Sequence, residues 1–241
     1  MSKIPKQEAK DKITALNLEL KEKNDEVINA SDYLKIVKEK IGFVPNVLNA
    51  FSKFPKQFEG FTKLYNSLML GESGLSKLER EMIAVTVSAE NQWFYCLVAH
   101  GAAVRELSED PQLGERLASN FESANLSKKH KAMLRFVRTL TKNPSTINEN
   151  DRQTLTNQGF NDRDIWDISL IVGFFNMTNR LAIASEMEPN DIYHKMYRWT
   201  NFTGRVNVFW IKWYSNFDSK LCKKYIRKIW WWLLAWLWLK F

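Results

Sequence analysis

Glycine and proline, the residues that most often interrupt regular structure, are scarce in this chain. Nine glycines and six prolines occur among 241 residues, which is too few for the frequent turns of a β-sandwich or a propeller. None of the glycines falls into a GxGxxG or GxxxxGK(S/T) pattern, so the sequence gives no support for a Rossmann dinucleotide site or a Walker-type phosphate loop. We therefore expect long helices.

Cysteine is nearly absent as well. The only two cysteines, Cys96 and Cys222, exclude a disulfide framework and a four-cysteine zinc site. The first 26 residues contain no apolar run that could form the core of a signal peptide. These two observations lead us to expect a cytoplasmic protein.

The charge is distributed unevenly along the chain, whose net charge is +8. Residues 199–241 hold eight basic residues and one acidic residue, whereas residues 1–198 hold 27 basic and 26 acidic residues. A nearly neutral body offers no basic face to a nucleic acid, so we expect no nucleic-acid partner. The composition divides the chain into a polar N-terminal arm (1–30), a body (31–198) and a tail rich in Trp and Lys (199–241).

Apolar residues recur at helical spacing through most of the body. Between Pro55 and Gly71 this spacing predicts a helix that turns Phe58, Phe61, Leu64, Leu68 and Met69 inward. The segment from Ile165 to Phe175 has almost no polar face, which is typical of a helix in a bundle centre or at a subunit interface. Capping residues and a first-turn proline predict helix starts at Ser31 or Asp32, Pro55, Ser76 with Glu79, Asn91 to Phe94, Ser127, and Asn161 or Asp162.

One window of the sequence carries residues suited to chemistry. Cys96 and His100 are four residues apart, so on a helix they share a face, and the imidazole can exchange a proton with the thiol. In the first turn of a helix the dipole favours the thiolate, the form that attacks a peroxide. Glu81 would orient the histidine if the two helices pack antiparallel. Two other interpretations stay open, because Cys beside His is common in an ordinary core and the same three side chains could ligate zinc.

Other polar residues of the body are given structural roles. His130 and His194 are interpreted as surface or interface histidines. Asn176, Asn179 and Arg180 are expected to form hydrogen bonds between helices or subunits, because buried amides must find partners.

Four segments of the body resemble one protein family. They are IGFVPN (41–46), GLSKLEREMIA (74–84), FYCLVAHGAA (94–103) and FFNMTNRLA (174–182). The body is similar to the AhpD-like alkylhydroperoxidase branch of the carboxymuconolactone decarboxylase family, and more closely to its peroxidase-related members. The resemblance implies a compact all-α bundle that forms a homo-oligomer and uses no cofactor and no metal.

The resemblance also assigns roles to residues. The family pattern is a glutamate followed by Cys-x-x-Cys-x-x-x-His, which implies that Glu81 is the relay carboxylate, Cys96 the second cysteine and His100 the relay imidazole, with Tyr95 as a neighbour of the site. The first cysteine of the pattern would stand where this chain has Trp93. A single thiol cannot complete an intramolecular dithiol cycle.

The leading functional hypothesis is a thiol-dependent oxidoreductase, impaired by loss of the cysteine pair. Cys96 would attack a small-molecule hydroperoxide, His100 would move the proton, Glu81 would hold the histidine, and an external thiol or dithiol would be the reductant. Two alternatives stay open. One is a catalytically inactive helical oligomer, and the other is a non-redox, carboxymuconolactone decarboxylase-like lyase in which His100 and Glu81 carry out acid–base chemistry.

The tail has two interpretations. Residues 229–239 are eleven apolar residues, well short of the roughly twenty that cross a bilayer as a helix. Together with the preceding lysines, the tryptophans suit an interfacial anchor on an anionic membrane. The abrupt change in composition is also typical of frameshifted or read-through translation, and the family resemblance ends at Arg198. We favour this second interpretation, under which contact with a membrane surface is not expected.

Overall fold

The described part of the chain contains only helices as regular structure. A computed structural model describes residues 29–198, and no strand occurs in that range. The predicted all-α class is therefore confirmed. The predicted tail and nearly all of the N-terminal arm lie outside the described residues. The α-helices are α1 (Ala30–Ile41), α2 (Asn46–Phe51), α3 (Pro55–Tyr65), α4 (Lys77–Glu90), α5 (Phe94–Ser108), α6 (Leu113–Asn120), α7 (Lys128–Lys142), α8 (Glu149–Asn157) and α9 (Asp162–Ala184).

Shorter helical turns complete the described structure. A π-helix (Asn66–Leu70) continues α3 directly. Three 3₁₀ turns cover Phe121–Ser123, Pro144–Thr146 and Asp191–His194. The short helices α2, α6 and α8 were not predicted from the sequence.

Capping residues that are visible in the sequence set the starts of the longer helices. Ser76 caps α4 in a reciprocal capping box with Glu79, and Ser127 caps α7. Asn161 caps α9 through a second capping box. Each cap provides acceptors for backbone N–H groups that lack a partner inside the helix. The predicted starts of these three helices are correct.

The first helix begins slightly earlier than predicted. Its N-cap is Asn29, whose side chain accepts a hydrogen bond from the Ser31 amide, rather than Ser31 or Asp32. Gly42 ends the helix, as predicted, in a left-handed conformation with φ of 89°. Glycine adopts this conformation without steric cost.

Helix α4 lies at the centre of the bundle. Its residues 82–88 are all buried, and it packs against α5, α6, α7 and α9. A helix covered on all sides has no charged face, which explains its run of apolar residues. Helix α6 crosses α5 closely, since a Cβ atom at Gly114 would lie 2.9 Å from the Gly101 carbonyl oxygen. The helices around α4 therefore hold α5 in a fixed position.

The helix that begins at Pro55 does not stay regular to its end. It changes from α to π geometry before it reaches Gly71. Leu64 is 40% exposed, so the prediction that it faces the core is wrong. Leu64 lies in the regular part of α3, before the π-helix begins, and with about 3.6 residues per turn it is about a third of a turn away from Phe58. The remaining predicted core positions of this segment are buried: Phe58, Phe61, Leu68 and Met69.

A buried arginine fixes the link between the π-helix and α4. Arg80 is 4% exposed. Its Nη1 donates to the carbonyl oxygens of Leu68 and Gly71 at 3.2 and 2.8 Å, and its Nε donates to that of Leu75 at 3.1 Å. These bonds satisfy carbonyl groups that the end of the π-helix leaves without helical partners.

Helix α9 lies at the surface of the described chain, because α4 occupies the centre of the bundle. One face of α9 packs on α4 and α7. The opposite face leaves large apolar side chains exposed, among them Trp166 (63%) and Met177 (52%). The predicted location of this helix at a bundle centre is therefore wrong, and its predicted location at a subunit interface stays a prediction. No helix within residues 29–198 is both long and apolar enough to cross a membrane.

The capping glutamate Glu79 joins the start of α4 to the start of α7. It is 4% exposed, and its carboxylate lies 3.1 Å from Lys129 Nζ and 3.5 Å from His130 Nε2. Burial by itself would raise the pKa of Glu79, but hydrogen bonds from His130, Ser76 and Lys129 outweigh burial and lower the pKa to about 2. Part of the folding free energy therefore depends on the charge of this carboxylate.

We predict that Glu79→Gln lowers the free energy of unfolding at pH 7 by about 1–2 kcal/mol, because it removes a buried, paired charge. The folded pKa lies below the unfolded value of 4.5, so the charge stabilises fully above that value and loses its effect as the pH falls toward 2. Urea unfolding of the full chain at pH 7 and pH 3 measures both effects.

The matched control is Glu149→Gln, which removes a first-turn glutamate of α8 whose side chain is 76% exposed. This variant should lie within about 0.5 kcal/mol of the original protein at both pH values. A loss for Glu79→Gln that is equally large at pH 3 and pH 7 would contradict the proposed role of the charge.

Candidate active site

A short link folds α4 and α5 into an antiparallel pair. Only residues 91–93 separate the two helices, and Gln92 adopts a left-handed conformation with φ of 54°. The Trp93 amide donates to the Ser88 carbonyl at 2.9 Å, which ties the start of α5 to the last turn of α4. The two helices therefore face each other along much of their length, as the sequence analysis required.

Glu81 and His100 form a direct pair across these two helices. His100 Nδ1 lies 2.6 Å from Glu81 Oε2, and the two side chains are only 14% and 12% exposed. The rings of His100 and of Phe175 on α9 meet nearly at right angles, with centroids 4.6 Å apart. Because Nδ1 is bonded to the carboxylate, Nε2 is the nitrogen that remains for proton exchange.

Cys96 lies in the first turn of α5 and is 6% exposed. Burial raises the pKa of its thiol to about 12, although a hydrogen bond with the Ser88 side chain lowers it. We expected the helix dipole to favour the thiolate, but the desolvation of a buried sulfur is the larger effect. At neutral pH the thiol is therefore protonated in this conformation.

Ser88 connects the thiol to a buried polar network. Its hydroxyl donates to the Ala84 carbonyl at 2.7 Å and accepts from Asn179 Nδ2 at 3.2 Å. Ser88 and Asn179 are both 0% exposed. Asn179 on α9 therefore bonds to Ser88 on α4, which is the bond between helices that the sequence predicted for it. Ser88 also bonds to the Cys96 thiol.

The thiol faces a small apolar cluster apart from the main core. Tyr95 is buried here and accepts a hydrogen bond at its hydroxyl from the Val47 amide at 3.1 Å. Trp93 packs against the same cluster, and its indole Nε1 is buried without a hydrogen-bond partner. The buried members of the cluster are Ala50, Tyr95, Cys96, Ala182 and Met187.

Two tyrosines near the site were not predicted from the sequence. Burial raises the pKa of Tyr65, and the negative charge of Glu81 raises it further. Burial also raises the pKa of Tyr193, with added contributions from Cys96 and Glu81. Both phenols are neutral at physiological pH, and both are close enough to feel the charges of the site.

A helical-face argument could have found Ser88 but not Tyr193. Ser88 is seven residues after Glu81, two turns along the same face of α4, and that face is the one turned toward α5. Tyr193 lies 97 residues after Cys96 on a different element, and no local pattern links the two positions.

The remaining predicted polar residues have structural partners, but Arg180 bonds within α9 rather than to another helix: its Nη1 donates to the Asn176 carbonyl oxygen and Oδ1 at 2.8 and 2.7 Å. His130 contacts Glu79 at the start of α7, and the ring of His194 packs against Phe94 with centroids 5.6 Å apart. Asn176 accepts from Asn91 Nδ2 at 3.1 Å, which links α9 to the end of α4. Among residues 29–198, no group of three or more His, Cys, Asp or Glu side chains is arranged to hold a metal ion.

The fold and site together define a class: an all-helical protein with a buried thiol in the first turn of one helix and a Glu–His pair that bridges this helix to its antiparallel neighbour. The chain belongs to the carboxymuconolactone decarboxylase family. The model of that family matches residues 55–124, which contain Glu81, Cys96 and His100.

Solved structures of peroxidase-related proteins are similar to the chain. One from Silicibacter sp. TM1040 is 53% identical, with a TM-score of 0.73, and the similarity covers 77% of this chain and 96% of that chain. One from Ralstonia eutropha JMP134, with an alkylhydroperoxidase AhpD core, is 38% identical, with a TM-score of 0.72, and the similarity covers 78% of this chain and 97% of that chain. Both proteins are uncharacterised.

A more distant structure shares the fold alone. The debrominase Bmp8 in complex with 2,3,4-tribromopyrrole is 14% identical, with a TM-score of 0.62, and the similarity covers 76% of this chain and 96% of that chain. No curated protein is significantly similar to the chain.

We predict that the alkylation rate of Cys96 rises continuously with pH and does not level off near the ordinary thiol value of about 8.5. Ser88→Ala should slow the reaction roughly tenfold at pH 8, because it removes a hydroxyl that can turn from the Ala84 carbonyl and donate its proton to the thiolate. Iodoacetamide labelling followed by mass spectrometry, in a Cys222→Ser background, gives both results.

Thr86→Val is the matched control for Ser88→Ala. Thr86 is a buried residue of the same helix, and its hydroxyl has no hydrogen-bond partner. Its replacement should leave the alkylation rate unchanged. A plateau near pH 8.5, or equal effects of the two substitutions, would contradict the assigned environment of Cys96.

Proposed function

We propose that the protein is a thiol-dependent reductase of small hydroperoxides in which Cys96 is the attacking group. The observation that carries this proposal is the 2.6 Å contact between His100 and Glu81, on the helix face that His100 shares with Cys96. A thiol whose pKa is raised to about 12 needs a base at the moment of attack. The Glu81–His100 pair supplies that base and disperses the charge that it acquires.

The oxidative step uses one thiol and one hydroperoxide. His100 takes the thiol proton, and the Cys96 sulfur attacks the terminal peroxide oxygen. The S–O bond forms as the O–O bond breaks, so the sulfur loses two electrons and the peroxide gains them. His100 then returns the proton to the leaving alkoxide, which departs as an alcohol. Cys96 is left as a sulfenic acid.

The reductive step requires electrons from another molecule. A first external thiol condenses with the sulfenic acid, which gives a mixed disulfide and releases water. A second thiol displaces Cys96, which returns as a thiol while the reductant leaves as a disulfide. A second cysteine one turn before Cys96 would perform the first of these displacements internally, but Trp93 occupies that position. Turnover should therefore be slow in this chain.

We predict that Trp93→Cys creates a disulfide-forming pair and speeds peroxide reduction with a dithiol reductant. Trp93 is the N-cap of α5 and Cys96 its third residue. In a capping box the side chain at each of these two positions reaches the backbone N–H of the other residue, so a thiol at position 93 should lie close enough to bond to Cys96. The substitution also removes a large, partly buried indole whose N–H has no partner. Coupled peroxidase assays and mass spectrometry of the oxidised protein measure the two effects.

The controls separate the disulfide from the relay. Trp93→Ser removes the indole without adding sulfur, so it should not support the dithiol cycle. Trp93→Cys combined with His100→Gln should still form the disulfide but reduce hydroperoxide at least about tenfold more slowly. A Trp93→Cys protein that forms the disulfide and yet reduces no hydroperoxide would support the inactive helical oligomer instead.

We further propose that two copies of the chain associate through the exposed face of α9. The α9 stripe consists of Trp166, Leu170, Gly173, Met177 and Leu181. Its first four residues and Leu64 of α3 border an apolar groove of about 420 Å³, and Leu181, 43% exposed, lies beyond the groove. Monomeric proteins rarely leave such a continuous apolar surface uncovered.

The spacing of the α9 stripe fits a second copy of the same helix. Trp166 and Leu181 lie at equal sequence distances from the midpoint between residues 173 and 174, and so do Leu170 and Met177. An antiparallel two-fold contact centred there would place Trp166 of one copy on Leu181 of the other. Gly173, without a side chain, allows the two helices to approach closely at the centre.

We predict that Gly173→Arg converts the oligomer to a smaller species without unfolding it. A Cβ atom at position 173 meets nothing within 4 Å in the single chain, so the fold should tolerate the side chain. Light scattering coupled to size-exclusion chromatography measures the mass. Gln153→Arg, an equal change of charge at an exposed position of α8, should leave the mass unchanged. A monomeric unsubstituted protein would refute the proposed contact.

A further inference from the structure

We propose that residues 187–197, which we call the C-terminal strap, form a gate over Cys96, and that Arg105 is the latch that holds the gate closed. The proposal concerns access to the sulfur. It therefore holds whether or not the thiol reduces hydroperoxides, and it is tested without any measurement of peroxidase activity.

The first observation is that the strap covers the thiol. Met187, at its beginning, is 3% exposed and belongs to the apolar cluster that contains Cys96. Further along, Tyr193 lies near enough to Cys96 and Glu81 for both to influence its ionisation. Its ring meets that of Phe43 edge to face, with centroids 5.1 Å apart. With 6% of its surface exposed, Cys96 is shielded by these residues together with the helices around it.

The second observation is that side chains, rather than a regular ladder, anchor the strap. At its centre, Asn190 Oδ1 accepts from the Asn46 amide at 2.8 Å, and Asn190 Nδ2 donates to the Val44 carbonyl at 3.0 Å. Asn46 Nδ2 in turn donates to the Glu188 carbonyl at 2.8 Å. These bonds attach the first half of the strap to the segment before α2.

Arg105 attaches the second half of the strap. It is 4% exposed and projects from α5, the helix that carries Cys96. Its Nη2 donates to the Tyr193 carbonyl at 2.9 Å and its Nε to the Met196 carbonyl at 3.1 Å. Hydrogen bonds from a charged donor are stronger than those between neutral groups. One side chain therefore controls the position of the part of the strap that lies over the site.

The ends of the strap differ from its interior in backbone conformation. Glu186, immediately before it, has a φ of 48°, and Tyr197, its last residue, has a φ of 56°. Residues other than glycine adopt these left-handed angles only when their surroundings hold them there. The strap is thus a segment bounded by two changes of chain direction and fixed by a few side-chain bonds, as expected of an element that opens locally.

The consequence is kinetic. A reagent cannot reach a sulfur that is 6% exposed, so Cys96 must react from a conformation in which the strap has moved. When opening and closing are fast, the reaction rate is proportional to the population of the open form. Weakening the latch raises that population and should accelerate the reaction of the thiol.

The experiment compares two buried arginines in the full chain with Cys222→Ser, so that Cys96 is the thiol that reacts. N-ethylmaleimide labelling of Cys96 should be about tenfold faster in Arg105→Gln than in the parent protein, because two charge-assisted bonds are lost. Arg80→Gln is the matched control: Arg80 is also 4% exposed and also donates to backbone carbonyls, but those of residues 68–75. The control should label at the parent rate.

Amide hydrogen exchange locates the opening. The amides of Tyr193, Lys195 and Met196 are hydrogen-bonded within the strap, and their exchange should accelerate in Arg105→Gln along with the labelling. Equal labelling rates in Arg105→Gln and the parent, or equal acceleration in Arg80→Gln, would overturn the proposal. If Arg105→Gln fails to fold, Asn190→Ala releases the other half of the strap and is judged by the same two measurements.

Discussion

The candidate site depends on the antiparallel pairing of α4 and α5. Three residues link these helices, so the chain must reverse direction at once, and the bond from the Trp93 amide to the Ser88 carbonyl fixes where it does so. Once this register is set, Ser88 lies near Cys96 and Glu81 lies near His100, because each pair is matched across the two helices. Neither contact could form if the link moved α5 by a single turn.

The site combines two opposing electrostatic effects. Burial keeps the Cys96 thiol protonated, since a charged sulfur would lose its hydration in the apolar cluster. A hydrogen bond with the Ser88 side chain acts in the other direction and lowers the pKa of the thiol. In the proposed mechanism the Glu81–His100 pair, joined at 2.6 Å, accepts the proton that the thiol loses. A thiolate formed in advance would react with many oxidants. A thiol that ionises only when a base removes its proton reacts only with a substrate that is already in place, which is a form of selectivity.

Much of the fold could be predicted from the sequence, because local signals determine it. Capping boxes, a first-turn proline and helical spacing located α1, α3, α4, α5, α7 and α9, whereas α2, α6 and α8 are too short to show a periodic pattern. The error at Leu64 arose because this apolar residue was assigned to the buried face of α3, although with about 3.6 residues per turn it lies about a third of a turn away from Phe58. Spacing and family resemblance predicted the pairing of Glu81 with His100, and the two side chains are in contact. The protonation state of Cys96 could not be found in this way, because it is set by residues such as Met187 that are distant in sequence and meet the thiol only in the folded chain.

Trp93 links the chemistry of the site to its packing. Trp93 occupies the N-cap position of α5 without a side-chain capping bond, and its indole packs against the Cys96 cluster and leaves its own N–H buried without a partner. An unsatisfied buried donor costs free energy, on the order of 1–3 kcal/mol, and a cysteine in its place would not carry that cost. Packing optimised for stability alone therefore does not explain a tryptophan at this position.

The indole instead contributes to the apolar cover over the Cys96 thiol. In our proposal the strap, which lies far from Trp93 in the sequence, shields the same thiol, so two separate elements limit access to Cys96. Burial by the cluster that includes Met187 and Trp93 limits access to Cys96 and also raises the pKa of its thiol. In the proposed mechanism the Glu81–His100 pair has a separate task, the removal of the thiol proton, so the cover and the relay are distinct parts of the site. A protein that had lost its catalytic activity could keep either the cover or the Glu81–His100 pair. Only an active reductase needs both, an intact pair and a cover that opens.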